Sequence, residues 1–160
     1  MSVPTKKEHG TYYEGERNAE GQPEGHGKFT YASGSVFEGD YKAGEKEGRG
    51  TYKYADGTVY EGDWKAGKYD GHGTLRCSDD TKYEGEWKAN KKEGRGTFWF
   101  ANGVVEVGRY RDDKDVGEGV QWNKSREKAW RLFDGVLGDC ISLEDAQRIA
   151  DKVGMPVPPP

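Results

Sequence analysis

Residues Tyr60–Gly67, which read YEGDWKAG, belong to a motif that returns along the chain with almost the same sequence. FEGDYKAG begins 23 residues earlier at Phe37, and YEGEWKAN begins 23 residues later at Tyr83. A further copy, out of step by one inserted residue, begins at Tyr13, and a degenerate copy begins at Glu106. A fixed period of this length indicates a repeat protein, in which each unit contacts only its neighbours.

A second motif, Gly-x-Gly, returns with the same period, at residues 25–27, 48–50, 71–73, 94–96 and 117–119. Together the two motifs divide the chain into repeat units at 13–36, 37–59, 60–82 and 83–105, followed by a degenerate unit at 106–119. The other residues are assigned to an N-terminal extension, a capping hairpin, a C-terminal helix region and a proline-rich tail, at 1–12, 120–135, 136–155 and 156–160.

Each unit has the pattern of two short strands joined by a turn. The runs on either side of Ala55–Gly57 alternate between apolar and polar residues, and Asp-Gly between such runs is a strong hairpin signal. A two-residue loop would place Tyr52 opposite Glu61 and mix the two faces. A three-residue loop places Tyr52 opposite Tyr60, with Gly57 in the left-handed conformation that a type I turn plus bulge requires. We therefore predict an all-β repeat fold, an elongated single-layer antiparallel sheet of about ten strands.

This register sorts most aromatic residues onto one face of the sheet, which we call the aromatic face. Its predicted members are Phe29, Tyr31, Phe37, Tyr41, Tyr52, Tyr54, Tyr60, Trp64, Leu75, Cys77, Tyr83, Trp87, Phe98, Phe100 and Tyr110. The opposite face, which we call the outer face, collects charged residues. Across its strands, Arg49 should pair with Asp63 and His72 with Glu86.

The composition supports an ordered β structure and limits the possible functions. The chain has 25 glycines and 12% aromatic residues, whereas a disordered chain would be poor in aromatics. The net charge of −4 does not favour nucleic acid or anionic lipid over the whole surface. Two cysteines make no disulfide framework, and neither a secretory signal nor an apolar run of ~20 residues is present. We therefore expect a soluble, intracellular, cytoplasmic protein.

No set of residues converges on a catalytic or metal site in the predicted sheet. His26 and His72 stand two units apart, roughly 20 Å from each other, so they cannot share a metal or a reaction centre. Cys77 replaces a ring of the aromatic face, and Cys140 has no histidine near it in the sequence. The Gly-x-Gly motifs are not phosphate loops, because no Lys-Ser or Lys-Thr follows them. We expect no enzyme activity, no cofactor and no metal.

The repeat resembles the MORN (membrane occupation and recognition nexus) family. The family pattern is Tyr-x-Gly-x-Trp or Tyr, then Gly, Gly-x-Gly and Asp-Gly, and it is present in the units that begin at Phe37, Tyr60 and Tyr83. The resemblance covers about residues 13–122, with departures at Arg17, Asp79, Asp80 and Glu106. It implies a row of β-hairpins and a scaffolding role, in the cytoskeleton, in the cilium or at a membrane reached through a partner.

We predict that the aromatic face binds a partner protein, while its inner rings form the core. The candidate contacts are Tyr41, Tyr54, Trp64, Trp87 and Phe100. Trp64 and Trp87 stand one unit apart, a separation of roughly 10 Å, and two turns of an α-helix cover about the same length. The partner could therefore be an amphipathic helix with apolar anchors at i and i+7, or a second copy of the chain in a homodimer.

Binding to a membrane or to phosphoinositides is the alternative, and it depends on lysines near the turns. The candidates are Lys65, Lys68, Lys88, Lys91 and Lys92. Lys42 and Lys46 occupy the preceding turn in the same way, and acidic residues interrupt the lysines of all three turns, namely Glu45, Glu47, Asp70 and Glu93. Because each surface cation contributes only ~1 kcal/mol, the small positive excess predicts weak binding.

The periodicity changes after the last repeat. Ser142 is a suitable N-cap, and an apolar stripe at helical spacing predicts an α-helix over Leu143–Val153 that ends at Gly154. We expect this helix to fold onto the end of the sheet, with partner binding as the alternative. The proline-rich tail at 156–160 should be extended, and its PxxP pattern leaves a ligand of a signalling domain as the alternative to an inert tail.

Overall fold

The computed structural model describes residues 10–160, and the repeats within this range form one antiparallel β-sheet. Its twelve strands follow one another in space in the order of the sequence, and an α-helix follows the last strand. The predicted fold class, a single-layer all-β repeat with a short C-terminal helix, is confirmed. Residues 1–9, most of the expected N-terminal extension, lie outside the described residues.

The repeats supply the first ten strands, and the C-terminal segment adds two more strands and the helix. The elements are β1 (Tyr12–Arg17), β2 (Pro23–Thr30), β3 (Val36–Lys42), β4 (Glu45–Lys53), β5 (Val59–Lys65), β6 (Lys68–Arg76), β7 (Lys82–Lys88), β8 (Lys91–Trp99), β9 (Val105–Arg111), β10 (Lys114–Trp122), β11 (Ala129–Phe133), β12 (Val136–Ile141) and α1 (Leu143–Val153). Strand β12 lies in the segment expected to form the helix region, so the sheet has twelve strands rather than about ten. Asp134 and Gly135 both have positive φ, and this two-residue turn returns the chain into β12.

The predicted three-residue hairpin loop is confirmed. Tyr52 lies opposite Tyr60, so both rings are on the aromatic face. In the loop, the amide of Gly57 donates a hydrogen bond to the carbonyl oxygen of Tyr54, and Gly57 has a φ of 93°. This left-handed conformation is easily adopted by glycine, which explains the Asp-Gly signal.

The Gly-x-Gly motif marks a bulge in the second strand of each repeat. Between β5 and β6, Gly62 pairs with Gly73, but Trp64 pairs with Tyr69, so β6 has two extra residues between the pairs. Gly71 lies in this bulge with a φ of 109°. The first glycine of the motif is therefore required by the backbone, since the bulge needs a left-handed residue there.

Carboxylates join each hairpin to the turn of the next. The β5–β6 turn has Ala66 and Gly67 in left-handed conformations. Glu47 on β4 accepts a hydrogen bond from the amide of Ala66 at 3.0 Å, and the carbonyl oxygen of Lys46 accepts one from Gly67 at 3.0 Å. Three further carboxylates, Glu24, Asp70 and Glu93, bond in the same way to Ala43, Ala89 and Asp112. The acidic residues between the lysines therefore connect adjacent hairpins.

The sheet has a separate hydrophobic core on each face. The first core is the aromatic face, where rings of β1–β9 pack in one continuous cluster. Residues directly opposite each other on neighbouring strands lie on the same face of a sheet. Val120 pairs with Val107, Val107 pairs with Thr97, and Thr97 pairs with Glu84 of the outer face, so the second core lies on the outer face. The outer face is therefore charged along most of the sheet and becomes aliphatic at its C-terminal end.

Helix α1 covers this aliphatic patch. It starts as predicted, since the hydroxyl of Ser142 accepts a hydrogen bond from the amide of Asp145 at 3.0 Å, and it ends at the left-handed Gly154. Ala146, Ile149, Ala150 and Val153 are buried against Val107, Val120 and Trp122. The helix therefore lies on the outer face near the end of the sheet and leaves the aromatic face uncovered.

Candidate functional site

The leading ring of each repeat lies over a pair of glycines and forms the floor of the aromatic face. Tyr60 is fully buried, and a Cβ atom placed on Gly73 would lie 2.3 Å from its hydroxyl oxygen. That hydroxyl donates a hydrogen bond to the carbonyl oxygen of Asp63, 2.9 Å away. Phe37 and Tyr83 are buried in the same position of the neighbouring units. These rings therefore belong to the core of the protein.

The second ring of each repeat stands upright between the leading rings. Trp64 is 5% exposed and meets Tyr60 edge-on, with ring centroids 5.3 Å apart. Its indole N–H donates a hydrogen bond to the carbonyl oxygen of Gly50 at 3.1 Å. Trp87 and Tyr41 are buried in the equivalent places. Three of the five candidate contact residues are thus packed into the core, where they support the surface above them.

A rim of partly exposed rings stands beside these core rings. Its members are Tyr31, Tyr52, Tyr54, Phe98 and Phe100. Tyr54 is 39% exposed, and its hydroxyl forms a hydrogen bond with the hydroxyl of Tyr69. Phe100 packs against Phe98 with ring centroids 4.8 Å apart. Tyr54 and Phe100 are therefore the two candidate contact residues that reach solvent.

Two lysines and a tyrosine form a further row on the aromatic face, at positions 46, 69 and 92. The ammonium group of Lys46 lies between 5.0 and 5.5 Å from the ring centroids of Tyr31, Phe37, Tyr52 and Trp64. The ammonium group of Lys92 lies between 4.8 and 5.4 Å from those of Tyr83, Phe98 and Tyr110. Cation–π attraction stabilises both lysines there, and burial lowers the pKa of Lys46.

The sequence prediction missed this row, although the 23-residue spacing of its members was a usable signal. Tyr69 takes the place that lysine has in the adjacent repeats, and it stacks on Tyr60 with ring centroids 3.6 Å apart. Lys92, one of the candidate lipid contacts, belongs to this row on the aromatic face and not to a turn.

The other four candidate lipid contacts lie at the tips of two hairpins. Lys65 pairs with Lys68, and Lys88 pairs with Lys91, so like charges face each other across each turn. Lys91 also forms an ion pair with Asp112 at 3.0 Å. These four lysines therefore lie at neighbouring hairpin tips along one edge of the sheet, apart from Lys92, and lipid binding stays a prediction.

The row of leading rings ends in the fifth unit, where Glu106 takes the place of the ring. Its carboxylate accepts a hydrogen bond from the side-chain amide of Gln121 at 2.6 Å, and burial raises its pKa. The aromatic row therefore stops at the unit in which the aliphatic core begins on the opposite face.

The outer face carries two charged grooves that the sequence prediction did not anticipate. One of about 600 Å³ is lined by residues of β2–β5, and one of about 430 Å³ extends from β4 to the residues after α1. The predicted cross-strand pairs are confirmed beside them, with Arg49 at 3.1 Å from Asp63 and His72 at 3.8 Å from Glu86. Cations and carboxylates alternate here, so neither sign of charge dominates the grooves.

Residues 10–160 contain neither a metal-binding cluster nor a helix that could cross a membrane. In this range, no group of three or more His, Cys, Asp or Glu side chains is arranged to hold a metal ion. No helix in the same range is long and apolar enough to cross a membrane. Cys77 is half-buried and Cys140 is exposed, and both are free thiols.

The packed tyrosines predict a loss of stability in alkaline solution. Burial raises the pKa of Tyr60, Tyr69, Tyr83 and Tyr110 in the folded chain. In the unfolded chain these phenols ionise near their ordinary pKa of about 10. Above that pH the folded state binds more protons than the unfolded state, so the free energy of unfolding should fall as the pH rises.

Urea denaturation at several pH values would test this prediction. We expect a nearly constant midpoint between about pH 8 and pH 9 and a progressive fall above about pH 10. Ultraviolet absorbance of tyrosinate should rise together with unfolding rather than before it. A midpoint that stays constant to about pH 11 would contradict the burial of these phenols.

Comparison with known proteins identifies the repeat. The family model of the MORN repeat matches residues 19–36, 37–59, 60–82 and 83–105, which are more than half of the chain. The chain therefore belongs to the MORN repeat family, and the resemblance carried by its motifs is confirmed. No curated protein matches the sequence at a significant level.

The chain is also similar to a solved structure of the SAS-4 (dCPAP) TCP domain from Drosophila melanogaster, in complex with a proline-rich motif of Ana2 (dSTIL). The two are 17% identical, and the similarity covers 76% of this chain and 73% of that chain, with a TM-score of 0.40. At this TM-score and identity the likeness is weak.

Proposed function

We propose that this protein is a non-catalytic scaffold that binds a partner protein through its aromatic face. The observation that supports this proposal is the placement of α1, which covers only the C-terminal end of the outer face and leaves the partly exposed rim rings of the aromatic face open. Large aromatic surfaces that remain exposed usually mark binding sites. Tyrosine, tryptophan and arginine are the side chains that most often dominate interface energy. The cellular location of the protein would then follow from that partner.

The five candidate residues would contribute to binding in two ways. Tyr54 and Phe100 would contact the partner directly, because they belong to the partly exposed rim. Tyr41, Trp64 and Trp87 would act from below through the core rings that they pack against, and Trp64 also packs against the rim ring of Tyr52. A partner side chain that enters between rim rings would also meet the buried edges of these three residues.

An amphipathic helix is the partner that best fits the repeat spacing. Equivalent positions of successive units are separated by two strands, a distance of roughly 10 Å, so Tyr54 and Phe100, which are two units apart, are separated by roughly 20 Å. Side chains at i and i+7 of a helix are about 10.5 Å apart, so one apolar anchor could meet each unit. A homodimer in which two aromatic faces meet is the other arrangement that these rings allow.

Removal of the rim rings should release the partner without unfolding the chain. We expect the double substitution Tyr54→Ser and Phe100→Ser to weaken binding by about 2 kcal/mol or more, since truncation of hot-spot residues has effects of this size. Affinity capture with the wild type would supply the partner, and titration of each variant with it would measure the loss.

A substitution on the outer face is the matched control. Glu61→Ala removes an exposed side chain of β5 and should leave the affinity unchanged. Light scattering of the wild type would separate a homodimer from a complex with another protein. If the rim variant stays folded and binds as tightly as the wild type, while Glu61→Ala releases the partner, the aromatic face is not the binding surface.

A further inference from the structure

The residues that follow α1 turn back onto the outer face of the sheet. Met155 and Val157 pack against the aliphatic core, and Pro158 is buried. The guanidinium group of Arg126 donates hydrogen bonds to the carbonyl oxygens of Pro158 and Pro159 at 3.2 and 3.3 Å. The predicted proline-rich tail is therefore docked on its own sheet.

The sheet holds Arg126 in position without help from the tail. Its Nη1 atom donates to the carbonyl oxygens of Asn123 and Lys124 in the β10–β11 turn, at 2.6 and 3.0 Å. The same atom donates to the carbonyl oxygen of Gly103 in the neighbouring β8–β9 turn, at 3.0 Å. Because two turns fix the guanidinium group, its Nε and Nη2 donors would keep their direction if the tail left.

Both tail hydrogen bonds go to main-chain carbonyl oxygens and neither goes to a side chain. A proline-rich segment suits such a site, because its prolines lack N–H groups and its carbonyl oxygens remain free to accept. Its extended backbone is also restricted before binding, which reduces the entropy lost on docking. Arg126 therefore binds main-chain carbonyl oxygens, which many proline-rich segments present in the same way.

We propose that Arg126 and the adjacent aliphatic surface form a binding site for a proline-rich segment of another protein, and that residues 155–159 occupy this site in competition. We call the site the tail cleft, and it consists of Arg126 and the part of the aliphatic core against which Met155 and Val157 pack. It lies on the outer face, so it is independent of the partner surface proposed for the aromatic face.

Because the tail competes for the cleft, the affinity for an external proline-rich peptide should depend on the sequence of the tail. A tethered segment competes at an effective concentration on the order of millimolar. The wild type should therefore bind an external proline-rich peptide weakly, and a chain with a released tail should bind it at least about tenfold more tightly.

The test uses the full chain and a synthetic peptide with the sequence GMPVPPP, acetylated and amidated at its ends. The double substitution Val157→Ser and Pro158→Ser removes the docked apolar groups and should release the tail. Pro160→Ser changes an exposed proline of the same tail and is the matched control. Calorimetric titration should show binding at least about tenfold tighter to the release variant than to the wild type or the control.

Arg126 provides the second arm of the test. Adding Arg126→Gln to the release variant should weaken peptide binding by about tenfold or more, since two hydrogen bonds from a charged donor are lost. A peptide in which alanine replaces every proline should bind no variant. A folded release variant that binds no more tightly than the wild type, or binds equally well with Arg126→Gln, would overturn the proposal.

Hydrogen exchange on the wild type gives a readout that needs no substitution. The amide of Val157 lies in the docked tail, so millimolar peptide should displace the tail and speed its exchange. The amide of Met155 donates to the carbonyl oxygen of Ala150 at the end of α1, so its exchange should stay unchanged while the helix is folded. Exchange of amides in β5 should not change. Unchanged exchange of the Val157 amide at the highest peptide concentration would contradict competition for the cleft.

Discussion

Replacing Trp64 with alanine is expected to lower the free energy of unfolding by about 3–5 kcal/mol, the usual cost of removing a buried indole. Trp64 is 5% exposed and packs edge-on against Phe37 and Tyr60. The substitution leaves a cavity between two repeats and removes the hydrogen bond to the carbonyl oxygen of Gly50. Because repeats touch only their neighbours, the loss should weaken the interface between adjacent units.

Urea denaturation followed by circular dichroism would measure this loss. Phe133→Ala is the control, because this aromatic side chain is 62% exposed and its removal should change stability by less than about 1 kcal/mol. Equal stability of the Trp64 and Phe133 variants would show that the indole is not part of the core. The same measurement separates an effect on folding from an effect on partner affinity at Trp64.

The substitution Gly62→Ala is expected to destabilise the chain by about 3 kcal/mol, the upper part of the range for overpacking. A Cβ atom on Gly62 would lie 2.4 Å from the Cα atom of Gly73 and 2.5 Å from the carbonyl oxygen of His72. Both are backbone atoms of β6, so the strands would have to separate. The tyrosine ring above, Tyr60, also prevents movement, since its hydroxyl would lie 2.8 Å from the new Cβ atom.

Gly108 provides a matched control for Gly62 within the same chain. It occupies the equivalent place in the fifth unit, but a Cβ atom there would meet no other atom within 4 Å. Gly108→Ala should therefore change stability by less than about 1 kcal/mol. Thermal unfolding of the two variants would show a large difference in Tm if close approach explains the glycine, and equal shifts would contradict that explanation.

These two predictions bear on the function, because the rings and glycines that form the core also shape the aromatic face. Gly62 leaves room for Tyr60, the leading ring of the third unit, and Trp64 is the second ring of the same unit. Partner binding must therefore be compared between variants of equal stability. Substitutions at the rim residues Tyr54 and Phe100 suit this comparison better than substitutions at the core positions Trp64 and Gly62.

The sequence by itself determined the repeat, the strand register and the division of the two faces. The reason is that these features are local and periodic: Ala55–Gly57 sets the hairpin loop, and the loop sets which side chains share a face. The same local logic predicted α1, since Ser142 and Gly154 are suited to the two ends of a helix. The aromatic residues of the candidate site could be placed on one face for this reason.

Only the tertiary structure decided which rings are core and which reach the surface. Tyr54 and Trp64 belong to the same periodic pattern, yet the first is 39% exposed and the second is 5% exposed. Burial depends on contacts between repeats, as with Lys46 among four rings, and no single repeat contains those contacts.

The C-terminal segment also needed the tertiary structure, because it does not follow the repeat. The sequence indicated an amphipathic helix but not the face that it covers, which depends on Val107 and Val120 replacing the polar residues of earlier units. Arg126 meets Pro158 across 32 residues of sequence, and no local pattern signals that contact. Periodic, short-range interactions could be read from the sequence, whereas packing between distant, non-repeated segments depended on how the whole sheet places them.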